Sequence, residues 1–282
     1  MMANKYDSDK FGSRMKAYEK IPNIQLTPRC PVIIRLDGRR FSRVTKKLPK
    51  PSYVFLELMA QSMRDTASEI DGCVFGYTQS DEVTLILRND QSYDSVPWFD
   101  NRVQKMTSLS ASIMTDNFNK KLQARASVDS EVEIILNNKF QFDSRVYTVP
   151  NETEMVNQLY WRQLDCMKNA VSMVADYRLR EKLGKKTALK LLHGKGRTER
   201  LQLLQEKCDI DFFTEYPLSF QRGVIAYKVA YEKDGAVRTK MQLDYEPPNF
   251  HEKQELILDA YACKAREEAK KSKEERFDQR NS

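Results

Sequence analysis

Three short apolar runs, interrupted by one helical period, constrain the fold of this chain more than any other feature. The run Pro31–Leu36 predicts a buried strand, and it ends at an Asp-Gly pair that is typical of a turn. The β-rich runs Cys73–Thr78 and Val83–Leu87 are separated by only four polar residues, which predicts a hairpin. A strand, a helix and a hairpin in this order indicate a sheet with helices packed on it.

The remainder of the chain also alternates between helical and strand patterns. The predicted elements are a helix N-capped by Ser52, a helix over Trp98–Asn119, an edge strand over Val132–Leu136, a strand over Arg145–Val149, a helix over Glu152–Arg180, a Gly- and Lys-rich then helical segment over Lys182–Glu206, and paired strands over Arg222–Tyr231 and Val237–Leu243. The sequence therefore predicts an α+β domain with an antiparallel or mixed sheet and helices on one face. The last 19 residues, from Lys264, predict a solvated helix or a frayed tail.

Composition excludes several classes of protein. The chain has 47 Lys and Arg against 40 Asp and Glu, a net charge of +7 that weakly favours an anionic partner. No stretch approaches the ~18 apolar residues of a membrane helix, and the charged N-terminus lacks the apolar core of a secretory signal. The five cysteines form no CxxC pair, so we expect reduced thiols and a cytoplasmic location. With only two histidines, carboxylates are the expected ligands of any metal, which favours Mg²⁺ or Mn²⁺.

Two aspartates are the first candidates for chemistry. Asp37 ends the first strand and Asp81 lies in the hairpin turn, so neighbouring strands would bring both carboxylates to one end of the sheet. Two such carboxylates can bridge two Mg²⁺ ions about 3.5–4 Å apart and support a phosphoryl displacement. Gly38 lets the backbone approach an ion, Ser80 can donate to a phosphate oxygen, and Glu82 is a third acidic candidate. The alternative is ordinary turn polarity, since Asp and Gly are common in turns.

Basic residues form two further candidate groups. The first group is suited to a triphosphate and comprises Arg39, Arg40, Lys50, Arg102 and Lys105. The second is the stretch Arg178–Arg200, whose nine basic and two acidic residues give the charge density that a phosphate backbone requires. Ordinary solvated helix faces are the alternative for both groups.

The start of the last long helix holds a third polar group. Trp161 can belong to the core, whereas the polar residues that follow it could line a groove. These are Arg162, Gln163, Asp165 and Asn169. Their spacing alone does not decide between the two interpretations.

Six sequence blocks, in order and at characteristic spacing, resemble the tRNA-His guanylyltransferase superfamily, and within it the bacterial and archaeal Thg1-like proteins. The blocks are PVIIRLDGRRF (31–41), KP (50–51), YTQSDE (77–82), WFDNRVQK (98–105), FDSRV (142–146) and WRQLDCMKN (161–169). Each block is weak alone, but together they are specific. The resemblance runs from residue 11 to about residue 231.

The resemblance implies a fold and an activity. It implies a polymerase- or cyclase-like palm with an antiparallel sheet over residues 1–150, helices and strands over 151–245 that complete the same domain and contact tRNA, and a charged tail over 246–282. It implies an enzyme that uses two Mg²⁺ ions, with ATP and GTP as substrates, to activate the 5′ phosphate of tRNA and add nucleotides in the 3′–5′ direction. A homotetramer is also implied.

The resemblance assigns roles to individual residues. Asp37, Asp81 and the carbonyl of Gly38 match the metal site, with Glu82 in the same acidic element. The residues matching nucleotide contacts are Asp37, Gly38, Arg39, Arg40, Phe41, Ser42, Lys50, Ser80, Asp81, Arg102 and Lys105. The predicted tRNA contacts combine the block at 161–169 with the basic stretch, and they are Arg162, Gln163, Asp165, Asn169, Lys185, Lys186, Lys190, Arg197 and Arg200.

One departure from the family pattern refines this hypothesis. Eukaryotic members carry a His-x-Asn-Asn run where this chain has Met167-Lys168-Asn169-Ala170. The difference favours template-directed repair of 5′-truncated tRNA over strict recognition of tRNA-His. A class III-like nucleotide cyclase is one alternative, although it would need no basic RNA surface. A non-catalytic RNA-binding relative is the other, although the paired aspartates are retained.

Overall fold

The structure is a computed structural model that describes residues 10–90, 95–126, 129–234, 236–255 and 257–258. Its strands are β1 (Val32–Gly38), β2 (Cys73–Gln79), β3 (Glu82–Leu87), β4 (Phe142–Thr148), β5 (Val224–Lys233) and β6 (Ala236–Asp244). They form a six-stranded sheet in the order β4-β1-β3-β2-β5-β6. Every neighbouring pair is antiparallel, which agrees with the predicted α+β class.

Helices account for most of the remaining described residues. They are α1 (Lys10–Lys20), α2 (Phe41–Thr45), α3 (Tyr53–Glu69), α4 (Val103–Arg125), α5 (Ser130–Leu136), α6 (Glu152–Leu183), α7 (Lys185–Leu192), α8 (Arg197–Cys208), α9 (Phe212–Glu215) and α10 (Leu218–Arg222). The predicted N-cap of α3 is confirmed, since Ser52 Oγ accepts a hydrogen bond from the Phe55 amide at 3.2 Å. None of the described helices has the length and apolar character needed to cross a membrane.

Helices cover both faces of the sheet, so the expectation of helices on one face is wrong. Ile34 and Leu36 of β1 pack in one core with α3 and α4. Ile33, between them in the strand, packs in a second core with α6. Because side chains alternate across a strand, the uninterrupted apolar run of β1 reflects burial on both faces. The predicted sheet is confirmed, but the apolar run of β1 did not by itself show that helices cover both of its faces.

The predicted edge strand over 132–136 is instead helix α5. Asp129 caps this helix, its carboxylate accepting from the Glu131 amide at 3.0 Å. Val132 and Ile135 are both buried against the α3–α4 core, and their spacing of three residues places them on one face of a helix. The apolar β-branched residues of this segment favour a strand by composition. The Asp129 cap and the packing of Val132 and Ile135 against the core stabilise a helix instead.

A third hydrophobic core lies at the C-terminal half of α6. Val171 and Leu179 of α6 pack there with Leu192 of α7 and Leu204 of α8. This helical unit continues directly from α6, which also covers the sheet. The elements after residue 151 thus comprise this unit and the strands β5 and β6 that complete the sheet.

The first residues of the predicted charged tail are packed against the sheet. Phe250 is fully buried and lies edge-to-face with the Tyr77 ring at 5.4 Å. Its amide donates to Gln163 Oε1 at 3.0 Å, while Gln163 Nε2 donates to the Pro248 carbonyl at 2.9 Å. The segment predicted as a charged tail over 246–282 therefore begins with residues that pack on the sheet. Residues 264–282, for which a solvated helix or a frayed tail was predicted, lie outside the described residues.

Candidate active site

Asp37 and Asp81 lie at the same end of the sheet, called here the Asp37 end. Strand β1 pairs with β3 in a register that sets Asp37 opposite Glu82, the residue after Asp81. The Gly38 amide donates to the Asp81 carbonyl at 3.0 Å, which ties the end of β1 to the hairpin. The juxtaposition expected from the sequence is therefore present, because the two strands are neighbours.

The electrostatics of this end favour a bound cation. Burial raises the pKa of Asp81, and the nearby negative charges of Asp37 and Glu82 raise it further, while the Ser80 hydroxyl, 3.1 Å from Asp81 Oδ1, opposes the shift. No ion pair to a described residue involves Asp37 or Asp81. A divalent cation would relieve this repulsion, so the donor set fits Mg²⁺.

The protein alone supplies few ligands at this site. No cluster of three or more His, Cys, Asp and Glu side chains suited to a metal occurs among the described residues. Any ion at Asp37 and Asp81 therefore completes its shell with oxygens from backbone, water or substrate, as is usual for Mg²⁺ in phosphate chemistry.

A cavity of about 270 Å³ lies beside Ser80. Its wall combines apolar side chains, among them Leu48 and Phe55, with the polar residues Lys50 and Asn169. The Lys50 ammonium donates to the Thr45 carbonyl at 2.9 Å; burial lowers its pKa, and the charge of Asp81 opposes that shift. An apolar pocket with one cation near two carboxylates suits a nucleoside carrying phosphates.

The turn after β1 is fixed by an aromatic cluster. A Cβ on Gly38 would lie 2.6 Å from the Phe41 ring, so only glycine fits there. Phe41 is buried against four aromatic rings, Phe55, Phe118, Phe140 and Phe142. Its side chain therefore anchors the turn to the hydrophobic core. Arg39, Arg40 and Ser42 of the same turn are exposed, as their predicted contacts require.

Glu82 occupies a different environment from the one predicted for a metal ligand. Its carboxylate is buried and accepts from Arg162 Nε at 2.5 Å and Nη2 at 3.0 Å, and from Arg35 Nη2 at 2.7 Å. Both oxygens are thus held by guanidinium groups on the α6 side of the sheet. The arrangement joins the β2–β3 hairpin to α6 through Arg162.

Two residues predicted to contact tRNA are buried and hydrogen-bonded within the fold. Arg162 is buried between Glu82 and Asp165, whose Oδ2 lies 2.8 Å from Arg162 Nη2. Gln163 is fully buried and anchors the 248–250 segment described above. Both side chains lie on the buried part of the surface of α6. Trp161, which the sequence allowed in the core, is 52% exposed, and Asn169 lines the cavity.

Arg102 and Lys105 lie toward the opposite end of the sheet from Asp37. Asn101, next to Arg102, accepts a hydrogen bond from Asn89, which follows β3 beyond the pairing of Val32 with Leu87. At ~3.3 Å per residue, Val32 is about 17 Å from Asp37 along β1. The expected grouping of these cations with the aspartates does not occur within one chain, because α4 begins at the far end.

The basic stretch lies at the end of α6 and on α7 and α8. Lys185, Lys186 and Lys190 are exposed on α7, and no ion pair to a described residue is found for them. Arg197 lies over the Phe213 ring, and Arg200 donates to the carbonyls of the α7–α8 turn. The three lysines therefore present free charge, whereas the two arginines are partly used in local packing.

Asp143 is a neighbour of the site that the sequence did not reveal. Strand β4 pairs with β1 so that Asp143 stands directly opposite Asp37, on the same face of the sheet. Its side chain is about half exposed, with Arg145 at 3.8 Å. Only the register of two strands more than 100 residues apart brings these carboxylates together.

Solved structures with this fold carry nucleotides. A bacterial tRNA(His) guanylyltransferase (Thg1)-like protein in complex with ATP is similar, with a TM-score of 0.74, 28% identity, and coverage of 88% of this chain and 97% of that chain. The same kind of protein in complex with GTP matches with a TM-score of 0.66, 29% identity, and coverage of 88% and 96%. The fold and the paired carboxylates define a nucleotidyltransferase.

Sequence comparison gives the family. The family model described as "Thg1: tRNAHis guanylyltransferase" matches residues 12–150. An uncharacterized protein of Acanthamoeba polyphaga mimivirus is 30% identical over 245 residues, 80% of each chain. The tRNA(His) guanylyltransferase of Schizosaccharomyces pombe is 28% identical over 216 residues, 75% of this chain and 77% of its own length. This chain belongs to the Thg1 family, as its sequence motifs indicated.

Proposed function

We propose that this protein adds nucleotides to the 5′ end of tRNA in the 3′–5′ direction, using ATP or GTP to activate the 5′ phosphate. The observation that carries the proposal is the placement of Asp37 and Asp81 at one end of the sheet, beside a cavity whose lining includes Lys50. The ATP- and GTP-bound relatives support nucleotides as substrates. The family supports tRNA as the acceptor.

The residues of this chain bind and orient the reactants. Asp37 and Asp81 would hold Mg²⁺, with the Gly38 carbonyl as a further ligand. When bound, Mg²⁺ supplies charge neutralisation on the transferred phosphate and orientation of the attacking hydroxyl. Lys50 adds a fixed positive charge at the cavity wall, and Ser80 offers a donor next to Asp81.

The tRNA lies, in this proposal, across the cavity mouth and the helical unit. Asn169 lies between the two regions, because it lines the cavity and the next residue of α6, Ala170, belongs to the core of the helical unit. The lysines of α7, the helix that follows α6, attract the phosphate backbone of the tRNA. Replacement of the His-x-Asn-Asn run supports repair of truncated tRNAs over addition to tRNA-His alone. A homotetramer remains part of the proposal.

The decisive experiment supplies two truncated acceptors. The protein is incubated with 5′-truncated tRNA-His or another 5′-truncated tRNA, all four NTPs and Mg²⁺, and extension is followed at nucleotide resolution. We expect templated extension of both acceptors and none after chelation of the metal. Addition of a single G to tRNA-His alone would contradict templated repair. No extension of either acceptor would contradict the proposal as a whole.

The two alternatives give different outcomes in the same assay. A nucleotide cyclase would convert labelled ATP or GTP to a cyclic product without tRNA. A non-catalytic relative would bind tRNA but show no metal-dependent turnover. Only the proposed enzyme requires both the RNA and the metal.

A further inference from the structure

A second concave site lies on the other side of α2 from the cavity beside Ser80. The cavity takes Thr45 and Leu48 from this segment, whereas the second site takes Phe41 and Val44. This second site, called here the α2 cleft, has a volume of about 340 Å³. Its basic lining residues are Arg39, Arg40, Arg43 and Lys139.

The α2 cleft concentrates positive charge without compensation. Its lining holds four basic residues and no acidic one. All four are exposed, and none forms an ion pair with a described residue. Elsewhere in the same structure, cations such as Arg88 and Arg162 are paired with carboxylates at 2.5–2.8 Å. Like charges gathered around one concavity repel each other, and a bound anion would relieve that repulsion.

The cleft is held in shape by contacts between its two segments. The Arg39 amide donates to the Gln141 carbonyl at 2.8 Å, and Arg39 Nη1 donates to Gln141 Oε1 at 3.3 Å. Arg40 has a left-handed backbone with φ of 61°, an unfavourable conformation for a residue with a side chain. The two segments therefore meet in a defined geometry, which reduces the ordering that ligand binding requires.

The chemistry of the cleft favours backbone phosphates over a nucleoside triphosphate. Its aromatic residues, Phe41 and Phe140, are almost completely buried and packed against each other at 4.7 Å, so they offer no face on which a base could stack. The lining contains no carboxylate for a Mg²⁺–triphosphate complex. A groove with cations, no acids and no stacking surface is suited to a nucleic-acid backbone, which carries a charge at every residue.

We propose that the α2 cleft binds backbone phosphates of the RNA substrate near its reacting 5′ end. This inference rests on the proposed function, because it takes the substrate to be RNA. The cleft adjoins the turn that follows Asp37, so a strand held there would pass next to the paired carboxylates. Arg43 and Lys139, which no other role engages, are the residues that distinguish this site from the nucleotide cavity.

The test is the double variant Arg43→Ala/Lys139→Ala, with a 5′-truncated tRNA transcript as the RNA. The Kd of the transcript is measured by filter binding across a range of KCl concentrations. We expect Kd to rise at least about fivefold at 0.15 M salt, and the slope of log K against log salt to fall by about 2, one unit for each phosphate that is no longer neutralised. The KM for ATP should stay within about twofold, because the cavity is untouched.

A matched control removes the same charge far from the site. Lys233→Ala/Arg238→Ala alters the β5–β6 hairpin, about 30 Å along β5 from the pairing of Val224 with Thr78. This variant should retain the salt slope of the parent, and thermal melts should show both variants folded. If the cleft variant keeps the parent's RNA affinity and slope, the inference is wrong. A raised KM for ATP with unchanged RNA affinity would assign the cleft to nucleotide and overturn it equally.

The same data separate the inference from the function on which it rests. If the parent protein extends no RNA and binds the transcript no better than the control nucleic acid, double-stranded DNA, the proposed function fails. If the parent extends and binds RNA but Arg43→Ala/Lys139→Ala does so equally well, only the inference fails.

Discussion

Asp81 and Glu82 are adjacent acidic residues whose surroundings differ completely. Asp81 lies near Asp37 and has no ion-pair partner among the described residues, and burial raises its pKa. Glu82 is clasped by Arg35 and Arg162 at 2.5–3.0 Å. The surroundings of Asp81 leave its negative charge unbalanced and are suited to binding a cation. The charge of Glu82 is already neutralised by the two arginines, and its bonds to Arg162 join the sheet to α6. Whether an acidic side chain is available to bind a metal therefore depends on the partners that the fold already gives it.

Removing either carboxylate of the unbalanced pair should have the largest effect. Asp37→Ala or Asp81→Ala should lower both 5′ activation and nucleotide addition at least ~10³-fold, because metal stabilisation of a phosphoryl transition state is worth several kcal/mol. Extension of a 5′-truncated tRNA measures the decrease. Circular dichroism should show an unchanged fold. Near-normal extension by either variant would contradict the assigned metal site.

Removing the neutralised carboxylate should act first on stability. Glu82→Ala leaves the buried Arg162 without its main partner and should lower the free energy of unfolding by about 3–5 kcal/mol, measured by urea denaturation. The control Asp176→Ala breaks a half-exposed pair with Arg180 and should change it by less than about 1 kcal/mol. Equal effects of the two variants would show that the Arg162 clamp is not a special stabilising contact.

Charge on the helical unit should matter for RNA and not for nucleotide. Reversal of Lys185, Lys186 and Lys190 to Glu should raise the Kd for tRNA about 10-fold or more, because each substitution replaces an attractive charge with a repulsive one. The KM for ATP should be unaffected, since α7 lies outside the cavity lining. Equally weakened binding of both substrates would argue against a tRNA role for α7.

The smallest effect is a gain in stability that accompanies loss of activity. The raised pKa means that folded Asp81 keeps its proton to a higher pH than the unfolded chain, so this group lowers stability as pH rises through that pKa. Asp81→Asn removes the penalty. In EDTA at pH 7.5 its Tm should exceed that of the parent by about 1–3 °C, and the difference should shrink as pH falls toward ~4. A lower Tm at every pH would contradict this account.

The sequence predicted those parts of the site that local patterns specify. The apolar run before Asp37 and the hairpin around Asp81 each report on a few neighbouring residues, and both strands formed as expected. Ser52 as an N-cap is similarly local. Where long-range packing competes with local preference, the prediction failed, as in α5, where two buried residues three apart overrode strand-forming composition.

The chain sequence by itself thus determined the family, the α+β class and the two aspartates at one end of the sheet. Only the tertiary structure decided which polar residues are free to act. It buried Arg162 and Gln163, placed Arg102 far from Asp37, brought Asp143 opposite Asp37, and gathered Arg43 and Lys139 around one cleft. The physical reason is that a polar side chain is free to bind a ligand only if the fold gives it no other partner, and those partners are distant in sequence. Strand register and helix packing select those partners, and no local spacing encodes them.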